Sequence, residues 1–215
     1  MGHNNQKKIA AINDYTGFGR CSIAVELPVI SALKVQCCPL PTSVLSNHTG
    51  FDSFYFEDFT DSMPAYIAEW KKLNLKFDGI CSGFLGSHRQ IKIVEDFFKT
   101  FKTDENIILV DPVMGDYGKL YSTYTTQTCT EMKKLVKYAD ILTPNLTEAC
   151  ILTDEEYDEK RDVAFWKEPE EMCQSILTTG SYAVLPPSIA HKPQMRAGKE
   201  ACHVKKCVAK VKWQA

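Results

Sequence analysis

The sequence predicts an α/β layer fold built on a mostly parallel central sheet. Three observations lead there: short runs rich in Ile and Val recur along the chain, stretches with helical spacing separate them, and the runs are apolar on both faces. Strands buried on both faces need helices above and below, and a chain that alternates strand and helix supplies them.

The elements follow in order. Ile9–Ile12 is the first strand, and Ile23–Leu33 is a helix with Ile23, Leu27 and Ile30 on one face. Val35–Cys38 is the second strand, and Ser62–Leu73 is a helix carrying Tyr66, Trp70 and Leu73 in register. Gly79–Ser82 is a third strand ahead of the helix His88–Phe101, whose Ile91, Val94, Phe98 and Phe101 keep the 3.6-residue period. Ile107–Val110 is a fourth strand, Thr130–Tyr138 a helix, and Ile141–Thr143 a fifth strand. After about Asp154 the pattern changes. Asp154–Lys167 is mostly charged, Glu170–Leu177 has room for one more helix, and from Thr178 Pro, Lys and Cys dominate, with a short alternation over Val208–Trp213. The expected organisation is one α/β domain over residues 1–177 followed by an atypical tail over residues 178–215.

Composition narrows the function classes. With 215 residues, 44% hydrophobic and 24% charged, the chain has the material for a sizeable core, hiding about 70% of its unfolded surface. Lys and Arg number 25 against 27 Asp and Glu, so no overall field attracts a polyanion, and nucleic acid is not an expected partner. Nine cysteines is an odd number, none falls in a CxxC pair, and the expectation is reduced thiols in a reducing compartment rather than a disulfide framework or a metal site. No window approaches the roughly 18 consecutive apolar residues of a membrane span, and the polar Met1–Lys8 has no apolar run behind it. A soluble cytoplasmic protein is expected.

In sheets of this kind ligands bind beyond the carboxyl ends of the strands, so the segments after each run are where chemistry is sought. Asp111-Pro112-Val113-Met114-Gly115-Asp116 puts two carboxylates around a glycine turn. That suits hydrated Mg2+, which takes only one or two carboxylates, and it equally suits a capping turn in which Asp111 accepts backbone hydrogen bonds. Thr143-Pro144-Asn145-Leu146-Thr147-Glu148 reads as a strand exit with Asn145 at an N-cap and Glu148 at N3, or as a pair holding metal-bound water. Ser46-Asn47-His48-Thr49-Gly50 sets a histidine among small polar groups, structural or catalytic. The Asn13-Asp14 pair with Gly17 and Gly19 suggests a substrate-binding turn, without the third glycine of a dinucleotide site, and no GxxxxGK[ST] loop occurs.

Taken as an ordered set, Ser46–Gly50, Ser82-Gly83-Phe84-Leu85-Gly86-Ser87, Asp111–Asp116 and Ala139–Ala149 closely resemble the pyridoxal (pyridoxine, pyridoxamine) kinases of the ribokinase-like superfamily. Ala11–Arg20 resembles the bacterial pyridoxamine-kinase branch, and the resemblance runs from about Lys8 to Thr153. It implies a three-layer α/β/α fold with a mostly parallel sheet, C-terminally incomplete in this chain. It implies phosphoryl transfer from ATP, with Mg2+, to the 5'-hydroxymethyl of a vitamin B6 vitamer, in a homodimer. Residue by residue, it assigns Asp14, Thr49, Gly50 and Phe84 to the vitamer. It assigns Asp111, Asp116, Tyr121, Thr143, Asn145 and Glu148 to the nucleotide side, with Asp111, Asp116 and Glu148 nearest the metal.

Two departures bear on what the resemblance implies. Asp14 and Phe84 stand where many of these kinases carry Ser and Tyr, and an added carboxylate favours an aminomethyl vitamer. No GxGD follows Glu148, so the family's general-base Asp and its glycine anion hole are not found, a loss of roughly 10²- to 10⁴-fold for the base alone. A reading-frame change or a gene-model error late in the chain accounts for both the missing motif and the change in composition. The alternatives are a hydroxymethylpyrimidine (phosphate) kinase on the same scaffold, and a catalytically silent homologue that keeps the vitamer pocket.

Overall fold

Alternate residues of the central strands carry the core. In this computed structural model, which describes residues 6–157, Ala10, Ile12, Leu40, Ile80, Ile108 and Val110 are all buried in one cluster with Met63, Ile67, Phe97, Phe98 and Met132. Side chains two apart on a strand share a face, so these positions define the side of the sheet on which the middle helices lie.

The elements run β1 (Lys8–Phe18), α1 (Ile23–Ala32), β2 (Gln36–Asn47), β3 (Phe56–Asp58), α2 (Met63–Lys72), β4 (Gly79–Ser82), α3 (His88–Phe101), β5 (Ile107–Val110), β6 (Gly115–Asp116), β7 (Lys119–Leu120), α4 (Thr126–Leu135), a 3-10 turn (Val136–Tyr138), β8 (Ile141–Leu142) and α5 (Leu146–Thr153). The sheet order is β3-β2-β1-β4-β5-β8, parallel throughout except for β3, which pairs antiparallel with β2. The strand order reverses at β1, the place where open α/β sheets leave a crevice for ligand. β6 and β7 form a separate two-stranded hairpin beyond the end of β5. α2, α3 and α4 pack on the cluster face. Trp70, Phe77, Phe97 and Phe101 stack there with centroids 4.4–6.1 Å apart, and such pairs add about 0.5–1.5 kcal/mol each beyond their buried area. α1 packs on β1 and β2 and buries only Ile23.

The expected α/β layering is what the chain adopts, and β4, α3 and β5 occupy the expected residues. Three elements differ. β1 does not end at Ile12 in a turn but continues to Phe18, and β2 continues from Cys38 to Asn47. Their pairing persists through Thr16 with Leu45 and Phe18 with Asn47, so the hydrogen-bonded ladder outlasts the apolar run. The helix expected over Thr130–Tyr138 starts four residues earlier, because the Thr125 side chain caps it by accepting the Thr128 N–H, and its last three residues tighten to 3-10. The boundary expected at residue 177, the helix Glu170–Leu177 and the alternation at Val208–Trp213 lie outside the described residues. The six described cysteines carry free thiols; Cys129 is buried and Cys21, Cys37, Cys38, Cys81 and Cys150 are half-buried. No helix among the described residues is long and apolar enough to cross a membrane.

Candidate functional site

Two clusters form at the carboxyl ends of the strands, one around β1 and one around β5. The first begins with an irregularity. Between Asn13 and Tyr15 the β1–β2 register shifts, Asn13 pairing with Pro41 and Tyr15 with Val44, so β2 holds one extra residue opposite Asp14. Bulges of this kind re-aim side chains beside functional sites. Asn13 and Asp14 are both buried, at 8% and 7% exposure. The Asp14 carboxylate accepts the Thr16 hydroxyl at 2.7 Å and the Ser22 hydroxyl at 2.5 Å.

Asn13 ties the neighbouring strands together. Its Oδ1 accepts the main-chain N–H of Phe84 at 2.9 Å and that of Asp14 at 3.0 Å, while its Nδ2 donates to Glu26 Oε1 at 2.9 Å. The Phe84 carbonyl accepts the Thr42 hydroxyl at 2.9 Å, so the Phe84 backbone is gripped from β1 on one side and β2 on the other. Gln90, buried at the start of α3, completes the frame: its Oε1 accepts the Gly86 N–H, and its Nε2 donates to the Thr42 carbonyl and the Thr60 hydroxyl, each at 2.7–2.8 Å. Phe84 is half-buried, with its ring against Gly86.

Thr49 and Gly50 stand in the exposed turn after β2, joined to the end of β1 by the His48 N–H donating to the Phe18 carbonyl. His48 plays the structural part. Its Nδ1 accepts the Gly50 N–H at 3.1 Å, and its ring packs on Phe51 at 4.5 Å. A side chain on Gly19, which sits at φ 125, would lie 2.6 Å from that ring, so this glycine is required by the close approach of the histidine.

The second cluster is organised by α5. Asn145 Oδ1 accepts the Glu148 N–H at 2.8 Å and Glu148 Oε2 accepts the Asn145 N–H at 2.8 Å, a reciprocal capping box. Glu148 is 3% exposed, and its other oxygen accepts the Met114 N–H at 3.2 Å. Burial pushes its carboxyl up to about 7, against the opposing pull of those backbone N–H groups. Asn145 Nδ2 donates to the Gly115 carbonyl, the Thr147 hydroxyl accepts the Gly118 N–H, and the Tyr121 N–H reaches the Met114 carbonyl. The β6–β7 hairpin is thereby fastened over the start of α5. Asp116 and Tyr121 ride on it, Asp116 half-exposed with Oδ1 accepting the Tyr117 N–H, and Tyr121 42% exposed. Asp111, half-exposed at the end of β5, accepts the Thr143 hydroxyl at 3.2 Å, and its N–H donates to the Ser82 carbonyl on β4.

The structure thus gathers Asp111, Asp116, Tyr121, Thr143, Asn145 and Glu148 around one turn and joins Asp14 to Phe84 through Asn13. Thr49 and Gly50 adjoin β1 without a hydrogen bond to Asp14 or Phe84. Glu148 has both oxygens on main-chain N–H groups, so of its two readings the cap is the one its geometry displays. Among the described residues no three His, Cys, Asp or Glu side chains converge as a metal cage. Mg2+ needs none, since it keeps several waters and takes one or two carboxylates; Asp111, half-exposed at a strand end, fits that requirement. Glu26, Ser22, Thr42 and Gln90 had no assigned role in the sequence. Glu26 had a signal: it is the lone charge in the apolar helix Ile23–Ala32.

Residues 23–199 match the phosphomethylpyrimidine kinase family. The chain belongs to that family. A Schizosaccharomyces pombe protein assigned as a pyridoxal kinase is 32% identical over 122 residues, 54% of this chain and 34% of that protein. Pyridoxal kinase PdxY of Actinobacillus pleuropneumoniae is 30% identical over 203 residues, covering 91% of this chain and 66% of its own length. A Bacteroides thetaiotaomicron protein assigned as a phosphomethylpyrimidine kinase, in a crystal form with pyridoxal, shares 51% identity at TM-score 0.70, over 72% of this chain and 54% of that one. The chain therefore spans between about a third and two thirds of the length of these relatives, and it shares the fold of the Bacteroides structure over the matched part.

Proposed function

We propose that this chain is a vitamin B6 kinase homologue: its β1 cluster takes a pyridoxal-class vitamer, and its β5 cluster takes the phosphates of ATP with Mg2+. The observation that carries the reading is the pair of clusters at the ends of β1 and β5, the two strands that flank β4, with Asp14 and Phe84 locked to one amide and Asp111 hydrogen-bonded directly to β4. The pyridoxal-bound relative at 51% identity supports it. Asp14 presents a carboxylate already oriented by two hydroxyls, and Phe84 offers a ring edge or face to a heteroaromatic substrate. Asp111, Thr143 and Asp116 would hold the metal and phosphates, with Tyr121 on the hairpin above them. When bound, Mg2+ neutralises the charge that builds on the transferred phosphoryl group, which is most of what such a reaction needs. The family resemblance adds a homodimer, and the free thiols fit a reducing cytoplasm.

In a chain of these 215 residues, which carries no GxGD after Glu148, transfer is expected to run about 10²- to 10⁴-fold below that of a kinase with the motif. The test is to incubate the chain with Mg-ATP and pyridoxal, pyridoxamine or hydroxymethylpyrimidine, following phosphorylated product and equilibrium binding together. Binding of a B6 vitamer with slow 5'-phosphate formation supports the reading. Preference for the pyrimidine, the reading that the family's name favours, overturns it, as does binding of neither. Binding with no product at all assigns the chain to the silent homologues.

A further inference from the structure

Helix α1 reaches the vitamer side through two polar side chains four residues apart, a spacing that puts both on one helix face. Ser22, at its N-cap, donates to Asp14, and Glu26, one turn on, accepts from Asn13. Asn13 in turn has a choice of two amide orientations, and only one offers its oxygen to the N–H groups of Phe84 and Asp14. The other aims NH2 at two donors and its oxygen at a carboxylate.

Glu26 is a poor residue for stability. Its Oε2 is fully buried with no hydrogen-bond partner, in a helix otherwise without charge. A buried polar atom left unpaired costs free energy that an apolar side chain of similar volume does not. Burial raises its carboxyl above the ordinary range, with the charges of Asp14 and Asp111 adding to the effect and the Asn13 bond opposing it. Gly83 supplies the last piece, because a Cβ there would overlap the Asn13 amide. The arrangement spends volume and polarity on holding one amide in place.

We propose that Glu26 is a positioning residue of the vitamer site, fixing the Asn13 amide in the orientation that holds the backbones of Phe84 and Asp14. The positioning stands on hydrogen bonds; that the positioned site is a vitamer site rests on the proposed function. The test therefore has two readouts in the full chain. Hydrogen exchange is followed at the Phe84 and Asp14 N–H groups, with the Ile80 N–H on β4 as an internal control, and pyridoxal binding is titrated in parallel. Glu26→Leu is expected to speed exchange at Phe84 and Asp14 by tenfold or more, leave Ile80 unchanged, and weaken pyridoxal binding by tenfold or more. Glu26→Gln, which keeps an acceptor for Asn13, is expected to stay within about twofold of the parent. Asn13→Asp alone sets two carboxylates face to face and should weaken both readouts; adding Glu26→Gln reverses donor and acceptor and should recover them. Unchanged exchange at Phe84 in Glu26→Leu overturns the proposal, as does failure of the reciprocal pair to recover protection. Faster exchange at Phe84 in Glu26→Leu, with a parent chain that binds no pyridoxal, upholds the positioning and overturns the vitamer reading instead.

Discussion

Asn145 and Glu148 hold each other's main-chain N–H, and the same glutamate holds the N–H of Met114, so one side chain joins the start of α5 to the turn that carries Asp111 and Asp116. The turn and the helix cannot move apart without breaking that carboxylate's contacts. The side proposed for the phosphates is thereby shaped by the chain's own hydrogen bonds.

Glu148 makes the stability of the chain depend on pH in a definite direction. Its carboxyl is raised from 4.5 to about 7 in the folded state, so the folded chain holds a proton that the unfolded chain releases. The contribution is complete below about pH 4.5 and is lost as pH rises through 7, with roughly 3 kcal/mol as the upper bound for a shift of this size. Thermal melts at pH 5, 6, 7 and 8 should show the parent losing more stability across that range than Glu148→Gln, whose side chain does not titrate. Parallel slopes for the two proteins would contradict the assignment.

Asp111→Ala should separate binding from transfer. Asp111 lies at the end of β5, where its carboxylate accepts the Thr143 hydroxyl, beside the β6–β7 hairpin rather than on β1. Loss of a group that stabilises developing charge costs about 10²- to 10³-fold in rate. Pyridoxal affinity should stay within threefold and phosphorylated product should fall by at least that factor, read by coupled product assay and calorimetry. Unchanged turnover would remove Asp111 from the phosphate side.

Gln90→Leu tests the frame behind Phe84. The amide is 1% exposed and serves the Gly86 N–H, the Thr42 carbonyl and the Thr60 hydroxyl. A Leu there leaves the buried Gly86 N–H without its acceptor, while the Thr42 carbonyl keeps the Phe59 N–H and the Thr60 hydroxyl keeps Asp58, a loss of roughly 1–3 kcal/mol. Urea denaturation should show the midpoint falling with the slope preserved, and pyridoxal affinity should fall as well because the Thr42 hydroxyl that grips Phe84 shares the same network.

What was legible in the sequence, and what was not, divides along physical lines. α3 and its neighbours β4 and β5 are buried on a regular period, and apolar spacing is a direct record of burial. The capping box at Asn145 and Glu148 was legible because it is local, two residues three apart. The outer halves of β1 and β2 were not, because polar residues, Asn13, Asp14, Thr16, Thr42 and Ser43, are buried there and interrupt the apolar run. Pro39 and Pro41 also read as strand breakers. β3 covers β2 only at Ser43–Leu45, so the stretch with the prolines has a free side where a missing N–H costs little. The link from Glu26 to Asn13 was not legible either: it spans 13 residues between a helix and a strand, and no spacing rule connects them.

Gly83→Ala probes that link from the opposite side. The glycine is buried between β4 and Phe84, and a methyl there would overlap the Asn13 amide rather than open space. Because Asn13 is held by Glu26, Phe84 and Asp14 at once, it has no free direction in which to yield. Overpacking of this kind costs about 1–3 kcal/mol, so the Tm should fall by several degrees and pyridoxal affinity should drop together with it. Combining Gly83→Ala with Asn13→Ala removes the clash, so the Tm should return toward that of Asn13→Ala alone while pyridoxal affinity stays low. A double variant as unstable as the sum of the two single variants would mean that the methyl strains something other than Asn13.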